Sequence, residues 1–348
     1  VDKILLAHGS GGSVMHKLIR EYFVPQFDMK SLGDSAIIDF SNLPIHQFTD
    51  SPIHQFTNSP QKLAFTTDSY VVSPVFFPGG NIGELAVYGT VNDLSMVGAK
   101  PVCMSAGLIL EEGFSMDSFK KILSSMAEAA KKADVKIIAG DTKVVNKGKG
   151  DGIFINTSGI GVVEDGVNIS PVNIKTGDKI IVSGAIGNHG VAVMAERNGL
   201  SFNPPVLSDT APLNQLVAEI IGFGGVHAMR DPTRGGLATT LKELALESNL
   251  CFTIKESLIP VAHGVRGASE LLGLDPLYIA NEGILIAIVK KDSAEDLLEI
   301  MRKNPLGKNA NIIGEVSEAP EGKVLLKTKI GGTRIIDMLS GEQLPRIC

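Results

Sequence analysis

Three cysteines occur in the 348 residues, and one of them, Cys348, is the last residue given. A terminal residue adds little to a core and moves at little cost, so a thiol there is expected to act as a carrier of a chemical group. An incidental exposed cysteine is the plainer alternative. The carboxylates come next. Asp68 follows a strand in Thr66-Thr67-Asp68-Ser69, Asn92 and Asp93 fall in a helical pattern, and Gly140-Asp141-Thr142-Lys143 is expected to end a buried strand. Oxygen donors at the ends of apolar elements suit magnesium on a polyphosphate, which takes a few carboxylates completed by water and phosphate. Taken singly, each could equally cap or solvate an element end.

Glycine-rich turns supply the other half of such a site. His8-Gly9-Ser10-Gly11-Gly12 leads into a helix, where exposed N–H groups and the helix dipole can cradle phosphate, although a flexible turn accounts for it as well and no Walker-type lysine follows. Asp231-Pro232-Thr233-Arg234-Gly235-Gly236 is the strongest internal signal. Its proline stiffens the entry to a helix, its glycines permit close backbone approach, and Arg234 supplies charge. Ser183 to Gly190, which includes Asn188 and His189, is another glycine-rich strand-to-helix turn, and Asn281-Glu282-Gly283 sets a carboxylate just before an apolar strand.

The elements that must position these residues alternate along the chain. Helical spacing runs from Ser13, a plausible cap, to Val24, then over about 82–96, 116–132 behind Ser115, 213–221 and 236–248; strands are expected near 36–40, 63–67, 101–110, 136–139, 153–163, 179–183, 284–289 and 323–327. Pro44 to Ser51 and Pro52 to Ser59 are tandem copies differing at one position, Asp50 against Asn58, and read as a surface insertion at 41–61. The expected organisation is α+β with two domains. Residues 1–35 form a glycine-rich segment and helix, 36–165 a first domain and 175–330 a second, with 331–348 a mobile tail of few apolar anchors carrying Cys348. A formal charge of −6 argues against nucleic acid as a partner. Cysteines this sparse and without a Cys-x-x-Cys pair argue against disulfides and structural zinc. With no membrane-length apolar run and no basic segment leading into a signal sequence, a cytoplasmic protein with no membrane partner is expected.

Together, His8 to Gly12, Thr67-Asp68-Ser69-Tyr70, Phe76 to Gly83, Gly140 to Val145, Asp231 to Gly236, Ala280 to Gly283 and the closing Pro345-Arg346-Ile347-Cys348 resemble the HypE family of carbamoyl dehydratases, which serve nickel-iron hydrogenase maturation. That family lies in the superfamily of aminoimidazole ribonucleotide synthetase and selenophosphate synthetase. The resemblance covers nearly the whole chain. It implies a ferredoxin-like amino-terminal domain that dimerises through its sheets, an α+β carboxyl-terminal domain, and a flexible tail. It also implies ATP held by His8, Gly9, Ser10, Gly11, Gly12, Asp34, Asp68, Asn92, Asp231 and Arg234, with Mg2+ on Asp68, Asp93 and Asp141. Partners would be the carbamoyltransferase HypF, the HypC–HypD iron scaffold and a second copy of the chain. Two departures stand out: the insertion at 41–61, and Asn188 where relatives commonly carry aspartate.

By that resemblance a carboxamide is loaded on the Cys348 sulfur and dehydrated at the expense of ATP to a thiocyanate that supplies cyanide. Glu282 is the expected base and Lys143 the expected electrophile. From Gly331 an extended tail would reach roughly 60 Å at about 3.3 Å per residue, enough for an outward loading position and an inward dehydrating one. Two alternatives stay open here. One is a small-molecule synthetase of the same superfamily; the other is a nucleotide-binding scaffold whose thiol docks a partner.

Overall fold

The computed structural model describes residues 12–27, 35–39, 62–339, 344 and 346–348. His8, Gly9, Ser10, Gly11, Asp34 and the duplicated insertion at 41–61 lie outside the described residues.

The first helix, α1 (Ser13–Leu18), passes through a π-turn at Ile19–Phe23 into α2 (Val24–Phe27). Gly12 is its N-cap and makes no side-chain cap bond, so Ser13 is the first helical residue and not the cap expected from its type. The Ser13 N–H donates instead to the Leu339 carbonyl at 3.1 Å, tying this helix to the far end of the chain.

The first half continues with β1 (Ala36–Asp39), β2 (Lys62–Tyr70), the short hairpin β3 (Phe76–Phe77) and β4 (Gly80–Asn81), then α3 (Ile82–Met96), β5 (Ala99–Glu111), α4 (Met116–Lys132), β6 (Lys136–Val145) and β7 (Ile153–Val163). Asn81 caps α3 by accepting the Gly83 N–H at 2.8 Å, and Ser115 caps α4 as expected. The sheet runs β1-β2-β7-β5-β6, and β5 and β6 are parallel because α4 carries the chain back across one face. On α4 the buried positions are Ile122, Met126, Ala129 and Ala130, one helical stripe against the sheet. Thus the first half is a two-layer α+β unit with its helices on one face.

Register decides which residues share a face of this sheet. Asp68, Thr157, Ala106 and Gly140 form one row across β2, β7, β5 and β6. The Thr157 hydroxyl donates to Ala86 of α3 at 3.0 Å, so this row faces the helices. The next row, Ser69, Asn156, Gly107 and Asp141, therefore faces away from them, and Lys143 follows Asp141 on the same side.

The second half comprises β8 (Lys179–Val182), α5 (Asn188–Arg197), α6 (Asn214–Phe223), β9 (Val226–Arg230), α7 (Gly236–Ser248), β10 (Cys251–Lys255), α8 (His263–Leu272), β11 (Ile286–Val289), α9 (Ala294–Lys303), β12 (Asn311–Ser317), β13 (Val324–Lys327) and β14 (Thr333–Ile336). Its sheet order is β14-β13-β10-β12-β8-β11-β9. Both faces are covered. Ile286 and Ile288 enter a core with α7, while Ala287 and Val289 enter another with α6 and α9, which is why β11 reads as an unbroken apolar run. The strand β14 lies within the segment expected to be a mobile tail, so the chain leaves the sheet only after Ile336. Its extended reach from there is about 40 Å, not the longer span estimated from Gly331.

α3 joins the halves. Its sequence is apolar on all sides because it packs on the first sheet and also against α6 and β9 of the second half. At the other side of the junction, Gly236 opens α7 with φ +60°, and a Cβ there would lie 2.7 Å from the carbonyls of Leu277 and Ile279. The glycines after Arg234 thus admit the chain's own backbone. Gly236→Ala should therefore lower stability by about 1–3 kcal/mol, through left-handed strain and a lost close approach, read as a fall in the midpoint of thermal unfolding.

Candidate functional site

Two buried asparagines assemble the site. Asn281 accepts the Gly187 N–H at 2.7 Å and donates to the Pro232 carbonyl at 2.8 Å, so one side chain draws together the turns at 183–190, 231–236 and 281–283. Asn92, on α3, donates to the carbonyls of Ala211 (3.1 Å) and Glu282 (3.2 Å) and accepts the Leu213 N–H at 2.8 Å. Its amide is used in docking the second half on the first.

Between the halves, Arg234 faces Asp68 across 3.9 Å. Its guanidinium is held firmly charged by its neighbours, Cys348 first and then Asp68 and Glu282, against the cost of burial. Glu282 is 4% exposed, and its Oε1 has no hydrogen-bond partner among the described residues. Burial first, then the neighbouring charges of Asp231, Asp209 and Asp68, push its carboxyl well above the usual range, with Arg234 opposing them. The same surroundings act on the Cys348 thiol, which burial pushes up to about 12 while Arg234 pulls it down. Asp68, Asp231, Arg234, Glu282 and Cys348 thus form one cluster drawn from both halves and the tail, with Asp231, Glu282 and Cys348 buried and Asp68 and Arg234 partly open to solvent.

The tail reaches this cluster by main-chain contacts. The Val71 N–H donates to the Cys348 carbonyl at 3.1 Å and the Ser73 N–H to the Arg346 carbonyl at 3.2 Å. Arg346, at φ +52°, turns the chain so that its own Nε donates to the Val71 carbonyl at 3.0 Å and its guanidinium pairs with Asp151. Ile347 is 3% exposed in the core around Tyr70, Phe77 and Val193. Few apolar anchors were expected here. Ile347 is such an anchor, and main-chain groups of Arg346, Ile347 and Cys348 add hydrogen bonds that residue types do not advertise.

Other predicted residues fall elsewhere. Asp93 lies on the α3 side of the first sheet and accepts the Thr66 hydroxyl at 2.9 Å, near Asp68; both raise the buried Tyr70 phenol after burial itself does so. Asp141 and Lys143 sit on β6, an exposed edge strand and not the buried strand end expected, and pair with each other at 2.9 Å. They occupy the opposite face of the sheet from Asp68, so Asp68, Asp93 and Asp141 do not form one metal site within the chain. Among the described residues no three metal-ligating side chains cluster. Gly12 is buried at the start of α1.

Two neighbours of the cluster had no predicted role. Asp209 sits in the loop before α6 and accepts the Glu282 N–H, 3.3 Å from each oxygen. Burial pushes its carboxyl up to about 6, against the backbone N–H bonds it receives. Its local sequence, Leu207-Ser208-Asp209-Thr210, is that of any polar loop. His189 is fully buried, and burial pushes its imidazole down to about 4. Kept neutral, it donates from Nε2 to the Ile347 carbonyl at 2.7 Å and accepts the Ser208 hydroxyl at Nδ1, 2.8 Å away. Only its place in a glycine-rich turn was a signal.

Residues 49–163 match the AIR synthase related protein amino-terminal domain and residues 175–327 the corresponding carboxyl-terminal domain, so fold and site define a member of the AIR synthase superfamily. A carbamoyl dehydratase HypE of Bradyrhizobium diazoefficiens is 50% identical, covering 99% of this chain and 95% of the relative. Among solved structures, a HypE–HypF complex matches with TM-score 0.83 at 46% identity, covering 92% of this chain and 99% of that one. HypE in complex with ATP matches with TM-score 0.80 at 43% identity over 99% of this chain and all of that one. Within the superfamily, the chain belongs to the HypE carbamoyl dehydratases of hydrogenase maturation.

The raised carboxyl of Asp209 has a measurable sign. A carboxyl whose folded pKa lies near 6 contributes stability that is complete below about 4 and is lost as pH rises through about 6. Asp209→Asn should remove that loss. The stability of the variant minus that of the wild type should rise between pH 4 and 7 in denaturant titrations, and a flat difference would show that Asp209 ionises without penalty.

Proposed function

We propose that this chain dehydrates an S-carboxamide carried on its own Cys348 to a thiocyanate, consuming ATP and releasing ADP and phosphate. The observation that carries the reading is the seat of the thiol: Cys348 is 8% exposed beside Arg234 and Glu282, whose Oε1 has no partner among the described residues. A thiol pushed up to about 12 is protonated at neutral pH and a poor nucleophile. Such a sulfur suits a carried substrate better than an attacking catalyst. A free small substrate would have to compete with Ile347 and Cys348 for the same cleft.

The chemistry follows from the leaving group. An amide oxygen does not depart as hydroxide, so it attacks the γ-phosphorus of ATP, the bond to ADP breaks, and one N–H proton is lost to give an O-phosphorylated imidate. Loss of the second N–H proton then expels phosphate and leaves the nitrile on sulfur. Glu282 is the base. Burial and the like charges around it raise its carboxyl well above the usual carboxylate range, and a carboxylate so placed holds an accepted proton more firmly than an exposed one. Arg234 meets the charge that develops on the transferring phosphoryl group. Asp68, on the helix-facing side of the first sheet, and Asp93, on α3 beside it, are the carboxylates that would hold magnesium, which would neutralise the triphosphate.

Asp141 and Lys143 act, on this reading, across a homodimer. The outer face that carries them also exposes Phe65, Ile109 and Ile160 around a hydrogen-bonded patch of Thr67, Ser69, Asn156 and Ser158. Apolar side chains around satisfied polar groups are what a self-complementary sheet interface requires. HypF would load Cys348, and the HypC–HypD scaffold would receive the cyanide. The work is placed in the cytosol, where free Cys103, Cys251 and Cys348 stay reduced.

Intact-mass measurement tests the core of the reading. With carbamoyltransferase and carbamoyl phosphate the wild type should gain a carbamoyl group, then lose water when ATP is added. Glu282→Gln should keep the first step and slow the second by 100-fold or more; water loss at the wild-type rate would exclude Glu282 as the base. Lys143→Ala alone should also be slow, but mixing it with Glu282→Gln under subunit exchange should restore activity if Lys143 serves the other subunit. Failure to restore, with exchange shown to occur, would return Lys143 to its own chain.

A further inference from the structure

Seating the sulfur beside Glu282 means holding a peptide in one register, and the groups that hold it lie outside the reacting cluster. Two belong to α5. His189, near its first turn, donates to the Ile347 carbonyl at 2.7 Å. Arg197, at its last residue, donates from Nη2 to the Arg346 carbonyl at 2.7 Å and from Nε to the Ser73 carbonyl at 2.8 Å. Arg197 thus ties the tail to the 71–73 segment, which supplies its own N–H groups to Arg346 and Cys348. None of these bonds involves the sulfur.

We propose that His189 and Arg197 are positioning residues, a latch that grips the main-chain carbonyls of Arg346 and Ile347. Its strength divides Cys348 between an inward state that is dehydrated and an outward state that is loaded. The inference rests on reading Cys348 as the carried substrate. A latch that reads only carbonyls accepts the tail whether or not the sulfur bears a carboxamide, and leaves recognition of the modification to Arg234 and Glu282. The latch also opposes loading, because a cysteine as buried as Cys348, 8% exposed, cannot meet an external enzyme. Weakening it must move the two half-reactions in opposite directions. A residue with only a structural role would slow both.

Alkylation by iodoacetamide, followed by peptide mass spectrometry, reads the outward population directly. Cys251, fully buried in β10, reports unfolding in the same sample. A single hydrogen bond of ordinary net strength changes the balance by about 3- to 10-fold. His189→Ala and Arg197→Ala should each speed alkylation of Cys348 by about that factor with Cys251 still protected, and should slow ATP-driven water loss from the pre-loaded protein correspondingly. His189→Gln, which keeps a donor, should recover much of both. If His189→Ala exposes Cys251, Arg197→Gln serves in its place, since Arg197 is not enclosed by the core. Alkylation at the wild-type rate in folded variants, or both half-reactions slowed together, would overturn the latch. Failure of loaded wild-type protein to lose water would instead overturn the functional reading and leave the alkylation result standing by itself.

Discussion

A single guanidinium, that of Arg234, faces Asp68, Glu282 and Cys348 in a partly buried cleft, and the rest of the structure serves to keep that grouping together. Carboxylates buried side by side repel and each loses hydration; both effects favour the protonated form, and the one cation shared among them opposes that. Glu282 and Asp209 are both raised for this reason, and Cys348 stays a thiol.

Holding such a cluster requires a scaffold with little freedom, and the two halves supply it through polar contacts at their junction. Asn92 reaches from α3 to the Glu282 carbonyl and the loop before α6, and Asn281 draws three turns into one place. Gly283 packs so closely on Asp209 that a Cβ would lie 1.8 Å from its carbonyl oxygen. These contacts fix the loop that carries Glu282 without touching its carboxyl. The acid is therefore placed by backbone, and its side chain is left to respond to what enters the cleft.

The first sheet has two faces with different tasks. The face towards α3 and α4 holds Asp68 and, through Thr66, Asp93; the other holds Asp141 and Lys143 among exposed apolar and hydroxyl side chains. A strand alternates its side chains, so one residue of register separates a group that can reach Cys348 in its own chain from one that cannot. This is why motifs that look alike as sequence, Thr-Asp-Ser and Gly-Asp-Thr-Lys, end in different surroundings.

Much was legible in the residues alone. The periodicity of α4, the cap at Ser115, the unbroken apolar run of β11 and the turn at Asp231 to Gly236 depend on neighbours within a few positions, and local chemistry determined them. The choice of Cys348, Arg234 and Glu282 came from residue types that are costly to bury or reactive when exposed, together with the family pattern around them. Tertiary structure decided the rest. Asp209 and His189 matter only because loops far apart in sequence meet Glu282 and Ile347, and the tail is held by carbonyls that every residue possesses. Which face of β6 bears Lys143 was settled by pairing between strands, and pairing is a long-range property that no local pattern encodes.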